Sequence, residues 1–176
     1  MTQGYKQKKG FIIAENPMES TVSTFVRMLH ERECGVVVML CECEEGGVEI
    51  CAQYWPTYVG TATKHGEFTV STESISEKDE ITKRVITISD NKVWCMKSSH
   101  CIYSHVVMMT ITIVMMICMH VQCGRVHKFT QFEIKQWTSD NLCSTPKVIT
   151  DVINQMNSVQ RRTGNKPIVV HGRYVT

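Results

Sequence analysis

The chain has 176 residues, 43% hydrophobic and 20% charged, which excludes a mainly disordered polypeptide and suggests one domain able to bury about two-thirds of its unfolded surface. A net charge of +2 gives neither the electrostatic footprint of a nucleic-acid binder nor a basic membrane patch. Nine cysteines, an odd count, behind a polar, basic start (MTQGYKQKKG) argue for reduced thiols in a cytosolic setting rather than a disulfide framework.

In chain order, Lys6 to Ala14 reads as a basic turn and a short apolar strand, FIIA. A helix starts after Pro17, capped by Ser20 or Thr21, whose hydroxyl can accept from a free amide of the first turn. Val22, Phe25, Val26 and Leu29 follow at helical spacing, with Arg27, Glu31 and Arg32 opposite, and Gly35 ends the helix. Gly35 to Cys41, GVVVMLC, is a valine-rich run expected of a strand buried on both faces. Glu44 to Gly47 form a turn, the acids from Glu42 to Glu45 being a solvated hairpin face, and VEICAQYW is the next strand, closed by Pro56. Further strands are expected over Phe68 to Ser71, Ile81 to Ser89 and Lys128 to Trp137, with a charged turn at Glu77 to Glu80. His65 and His100 read as loop residues, Met28 and Met39 as core. Ser144-Thr145-Pro146 begins the clearest amphipathic helix, with Pro at its first position and an apolar stripe of Val148, Ile149, Val152, Ile153, Met156 and Val159. Gly164 and Asn165 stop it, and Pro167 to His171 is a final buried strand. Strands mixed with two separated helices argue for an α/β or α+β fold.

Four stretches, in order, carry a resemblance: Gly4 to Glu33, similar to a "FIAxQGP" and "DFWRMxWE" pattern; Val36 to Pro56, in which CAQYWP is the most specific piece; His127 to Pro146, at the position of a strand and "WPD" loop; and the last helix with GNKPIVVH, similar to "GPxxVHC". Together they resemble the protein tyrosine phosphatase domain, especially the second phosphatase domain of receptor-type members, over residues 4–92 and 126–171. The resemblance implies an α/β, partial tyrosine-phosphatase fold, a twisted mixed sheet flanked by helices, spanning 4–171 and incomplete at both ends. The phosphotyrosine-recognition loop and N-terminal helices would precede Met1, Tyr5 being the start of what remains. It also implies hydrolysis of phosphotyrosine on proteins without metal or organic cofactor, phosphotyrosine proteins or a partner phosphatase domain as partners, and a cytoplasmic location as the intracellular part of a membrane receptor. In that family a cysteine thiolate opens the loop HCxxxxxR and attacks phosphorus while the phosphate–tyrosine bond breaks. Loop amides and the arginine hold the phosphate, and the WPD aspartate protonates the leaving tyrosine and then activates the water that releases phosphate.

This sequence departs from that pattern. His171 matches the signature histidine, Gly172 replaces the cysteine, Arg173 comes far too early for the loop arginine, and 172–176 reads as a non-family tail. The WPD counterpart reads Trp137-Thr138-Ser139, leaving Asp140, one position late, as a weak displaced general-acid candidate. Val26 and His30 stand where family tryptophans pack, and Glu15-Asn16 replaces glutamine-glycine. The expectation is a catalytically incomplete chain, with a non-catalytic regulatory domain as the alternative.

Residues 93–125 hold four of the nine cysteines, six of the eleven methionines and only Lys97 and Arg125 as charged residues. Joining Lys92 to Val126 restores the family's spacing, so the segment reads as translated intron. A folded insertion of β-prone residues is one alternative. A membrane span over 101–123 is another, although Val106 to Met119 is shorter than the ~20 residues a spanning helix needs. Membrane association is otherwise expected only through a parent receptor. No metal site is expected. Cys118-x-His120-x2-Cys123 with nearby His127 matches no strong zinc spacing, and Cys41, Cys43 and Cys51 read as small hydrophobes on strands. Cys34 and Cys143 precede no phosphate loop.

Overall fold

The computed structural model describes residues 2–4, 7–90, 125–135, 137, 146–164 and 166–173. The 93–125 segment up to residue 124, with its candidate span and zinc ligands, and Tyr5, His100, Thr138, Ser139, Asp140, Cys143, Ser144 and Thr145 lie outside the described residues.

Among the described residues there are ten strands and two helices: β1 Thr2–Gly4, β2 Gln7–Glu15, α1 Val22–Glu31, β3 Val36–Leu40, β4 Glu44–Glu45, β5 Val48–Glu49, β6 Ala62–His65, β7 Phe68–Lys78, β8 Ile81–Asp90, β9 Val126–Ile134, α2 Pro146–Thr163 and β10 Ile168–Gly172. Eight strands form one mixed sheet in the order β1-β2-β10-β3-β9-β8-β7-β6. β2, β10, β3 and β9 run parallel, and β1 on one side and β8, β7 and β6 on the other add antiparallel edges. The α/β architecture expected from the sequence is the one observed.

The valine run of β3 explains the layering. Alternate residues of a strand point to opposite faces, and here both faces are covered. Val37 and Met39 pack with Phe25, Val26 and Leu29 of α1 and with Tyr54 and Trp55, all buried. Val36 and Val38 pack with Phe132, Ile168 and the α2 residues Val148, Val152 and Val159. Apolar side chains with no polar alternation are what a two-sided central strand requires.

Several local expectations are corrected. Thr21 sits at the α1 N-cap without a side-chain cap bond; its hydroxyl instead accepts from the Met18 amide at 2.9 Å. The helix ends at Glu31, and Glu33, at φ 49°, makes the left-handed turn assigned to Gly35. Gly35 serves a different need: a Cβ there would lie 2.9 Å from Thr163 Oγ1, so its bareness lets β3 start against the end of α2. VEICAQYW is a strand only at Val48–Glu49. Its buried residues Ile50, Cys51 and Ala52 are consecutive rather than alternating, and its amides bond to loops, Ala52 to the Pro17 carbonyl at 2.7 Å and Ile50 to that of Cys43 at 2.9 Å. β7 runs to Lys78, well past Ser71, because Ser and Thr alternate with its apolar residues, and the turn shrinks to Asp79 and Glu80. His65 lies in β6 rather than a loop. β9 ends at Ile134, short of Trp137. The α2 stripe is narrower than its sequence suggests: Ile149 and Ile153 are 37% and 44% exposed.

Candidate functional site

In sheets with parallel strands, ligand chemistry gathers beyond the carboxyl ends of those strands. β10 lies between β2 and β3, with His171 opposite Ala14 and Met39, and Gly172 opposite Glu15 and Leu40. The next residues, Asn16 after β2 and Cys41 after β3, therefore flank the end of β10. The loop after β5 folds back over this point and supplies Cys51 and Tyr54, both fully buried.

A polar chain connects these groups through the core. Arg84 of β8 pairs with Glu133 of β9 at 2.6 Å, and the same nitrogen donates to Gln131 Oε1 at 3.3 Å, while the guanidinium lies 4.8 Å from the Trp55 ring. Gln131 Nε2 donates to the Tyr54 hydroxyl at 2.8 Å, and that hydroxyl donates to His171 Nε2 at 3.1 Å. His171 Nδ1 donates to Asn16 Oδ1 at 2.9 Å, an oxygen that also accepts from the Cys41 thiol at 3.3 Å. Because an amide oxygen only accepts, Asn16 fixes the proton on Nδ1 and leaves Nε2 as the acceptor for Tyr54. Asn16 is held by its own bond from Nδ2 to the Ile50 carbonyl at 3.0 Å.

The electrostatics follow from burial. Desolvation pushes the His171 imidazole down to about 4, so it is neutral at physiological pH. Tyr54, fully buried, is held well above its ordinary value by desolvation. Cys51 is pushed far up, first by its hydrogen bonds with Cys41 and Cys43, then by burial. Cys43, partly exposed, is lowered, chiefly by the hydrogen bond from Cys51. Cys34 lies elsewhere in the core and is pushed up to about 12 by burial, which makes it a poor nucleophile.

Of the sequence-selected residues, His171 is at the strand end and fully buried, and Gly172 follows it. A Cβ at Gly172 would meet Leu40 Cβ at 3.4 Å, an ordinary contact. Arg173 pairs with Glu45 at 2.9 Å. Trp137 packs partly buried against the α2 side of the core. Val26 is fully buried and His30 nearly so, where family tryptophans were expected; His30 Nε2 bonds the Arg125 carbonyl at 3.0 Å and its ring lies 5.0 Å from Phe68. His127 bonds the Cys34 carbonyl at 2.7 Å and is lowered by burial. Sequence reasoning gave no site role to Asn16, noted only as a departure from the family pattern, to Tyr54 of the CAQYWP stretch, or to Arg84 and Gln131. The one available signal was polarity out of place, a glutamine inside the β9 run FTQFEI.

Above the network, an open cleft of about 250 Å³ is lined by Glu15, Asn16, Met18, Val48, Glu49, Ile50 and Arg173. A larger concavity, about 490 Å³, lies between β7, β8 and α2 and gathers no comparable set of groups. Among the described residues no helix is long and apolar enough to cross a membrane.

The family profile described as "Protein-tyrosine phosphatase" matches residues 1–174. Human receptor-type tyrosine-protein phosphatase epsilon is 29% identical over 168 residues, covering 96% of this chain and 20% of its own length. Mouse receptor-type tyrosine-protein phosphatase alpha is 26% identical over the same span, 16% of its length. Drosophila tyrosine-protein phosphatase 69D is 37% identical over 89 residues, 51% of this chain and 6% of its own. Among solved structures, PTPN18 in complex with HER2 phosphopeptides superposes with a TM-score of 0.72 at 16% identity, covering 96% of this chain and 51% of that one. The chain thus spans a fifth or less of these receptor-type relatives. The parallel-strand site, the buried histidine at its end and the profile match over nearly the whole sequence lead to one conclusion: this chain belongs to the protein-tyrosine phosphatase family.

Proposed function

We propose that the parent protein dephosphorylates phosphotyrosine on proteins through a cysteinyl-phosphate intermediate, and that this chain does not turn over such substrates by itself. The observation that carries the second half is Gly172. It occupies the strand-end position directly after His171, where the family resemblance places the nucleophilic cysteine. A thiolate is required to form the phosphoenzyme, and glycine offers none. The supporting scaffold is nevertheless present, since Tyr54 and Asn16 hold His171 in one tautomer.

That combination of a kept scaffold and a replaced nucleophile also favours a second reading. In it the chain is a regulatory, non-catalytic domain of a receptor-type phosphatase, on the cytoplasmic side, binding a partner phosphatase domain or phosphorylated segments. One structural neighbour, PTPN18, is solved in complex with HER2 phosphopeptides.

A soluble aryl phosphate tests the first reading. The expected rate is that of buffer alone. Turnover that disappears when one named cysteine is replaced by serine overturns it. Coding sequence with a complete HCxxxxxR motif after His171 favours the enzyme, and a broken motif favours the binding domain.

A further inference from the structure

Three buried side chains, the strand-end His171 and two cysteines to which no role in phosphoryl transfer is given, meet beneath the end of β10. One ligand atom from each of Cys41, Cys51 and His171 lies within 4.8 Å of the other two. Their residues are 2%, 0% and 0% exposed. They come from different places in the chain: the residue after β3, the loop after β5, and β10 itself. Zinc bonds of about 2.3 Å to sulfur and about 2.0 Å to imidazole nitrogen place neighbouring donors roughly 3.4–3.8 Å apart in a tetrahedron, so movements of about 1 Å close the set. Asn16 Oδ1 already stands among the donors, 3.3 Å from Cys41 Sγ and 2.9 Å from His171 Nδ1.

We propose that Cys41, Cys51 and His171 form a zinc(II) site, with Asn16 Oδ1 as the neighbouring oxygen donor. Charge selects this set. Two thiolates and one divalent ion sum to zero beside a neutral imidazole and amide, which suits a dry interior. A third thiolate would leave a buried negative charge, and Cys43, partly exposed, stays outside as a hydrogen-bond partner of Cys51. Thiolate and imidazole donors suit zinc, whereas calcium and magnesium favour oxygen donors. The outer shell also exists. When Nδ1 takes the metal, the imidazole proton moves to Nε2 and is donated to the Tyr54 oxygen, which also accepts from Gln131 Nε2 at 2.8 Å, and the Tyr54 O–H turns away from His171. The reaction balances: aqueous zinc and two thiols give a dithiolate complex, two protons leave to solvent, and the displaced waters follow. Of the four donors only Asn16 borders the open cleft, alongside Glu15, Glu49 and Arg173.

The test uses the full chain, stripped with chelator and titrated with cobalt(II) and then zinc(II). Expected are one equivalent bound at this site, a thiolate-to-cobalt charge-transfer band with tetrahedral d–d intensity, and release of two protons per zinc. The Cys41→Ser/Cys51→Ser double variant should lose the band, Cys118→Ser/Cys123→Ser should keep it, and Tyr54→Phe should weaken zinc binding about tenfold. Should the double variant fail to fold, X-ray absorption on zinc-loaded wild-type protein decides, two sulfur and two lighter donors being expected. No bound metal, a band that survives the Cys41/Cys51 changes, or a four-sulfur shell each overturns the site.

Discussion

His171 is kept neutral by its surroundings: the Tyr54 hydroxyl and Asn16 amide occupy its two nitrogens, Cys41 and Cys51 lie beside it, and the Phe25 ring stands 5.2 Å away. Its folded value of about 4 lies below the ordinary 6.5. Above about pH 6.5 both folded and unfolded chains carry a neutral imidazole, and the full stability is present. As pH falls from 6.5 toward 4 only the unfolded chain binds the proton, so stability declines through that window. The shift corresponds to roughly 3 kcal/mol. In chelator, urea midpoints of the wild type should therefore fall steeply between pH 7 and pH 4. The His171→Gln variant should be less stable at neutral pH and show a distinctly shallower decline, with a remainder from His127, also lowered by burial. Parallel pH profiles for the two proteins contradict the assignment. At this scale the sequence was legible where a motif named the residue, as for His171. It was not legible for Asn16, Gln131 or Arg84, whose meaning depends on which strands become neighbours, a fact absent from local pattern. The cysteines show the same limit: Cys41 and Cys51 read singly as small hydrophobes and acquire a shared chemistry only when β10 brings His171 between them.

The elements were legible where periodicity was strong. The β3 valines, the α1 stripe and the Pro146 start of α2 all lie where the pattern put them. Polar strands were shortened, because Ser- and Thr-rich β7 hides its alternation, and the segment after Val48 was misread because β-prone residues can fill a core without joining a ladder. The β8–β9 hairpin bears on the unusual 93–125 segment. Ser89 pairs with Val126, and the Asp90 amide donates to the Arg125 carbonyl at 3.1 Å, so the strands on either side of the segment are already adjacent. Joining Lys92 to Val126 leaves residues 90–92 as the connection, a length that hairpins commonly use. The carbonyl before Val126, which accepts from His30 in the full chain, then belongs to Lys92. Shortening the connection from 36 residues to three lowers its closure cost by roughly 2 kcal/mol. Deleting 93–125 should therefore leave a cooperatively unfolding β-rich domain with a Tm equal to that of the full chain or raised, by up to about 8 °C at this size. Loss of the strand signal in circular dichroism, or a clear Tm drop, shows that the segment is part of the folded unit.

For the whole molecule, the sheet order decides what the sequence can do. Placing β10 between β2 and β3 brings residue 172 to the head of the site, with Asn16 and Cys41 at its sides and the polar chain from Arg84 beneath. Position is then separable from reactivity. The first atom of a side chain at 172 has room, since a Cβ there meets Leu40 Cβ at 3.4 Å and its carbonyl oxygen at 3.5 Å. Reactivity toward a phosphate ester needs more: backbone donors around the anion and a cation to depress the thiol and hold charge in the transition state. Among the described residues the nearby cation is Arg173, and it is engaged with Glu45. The Gly172→Cys variant should therefore fold with a urea midpoint close to wild type and show one additional alkylated cysteine by peptide mapping. Its alkylation rate should rise only as pH approaches the ordinary thiol range, and aryl phosphate turnover should stay at the level of buffer. A thiol at 172 that alkylates rapidly at pH 6 and supports turnover would mean that the strand end already carries a working anion cradle, and would shift the loss of activity onto the single replacement of cysteine by glycine.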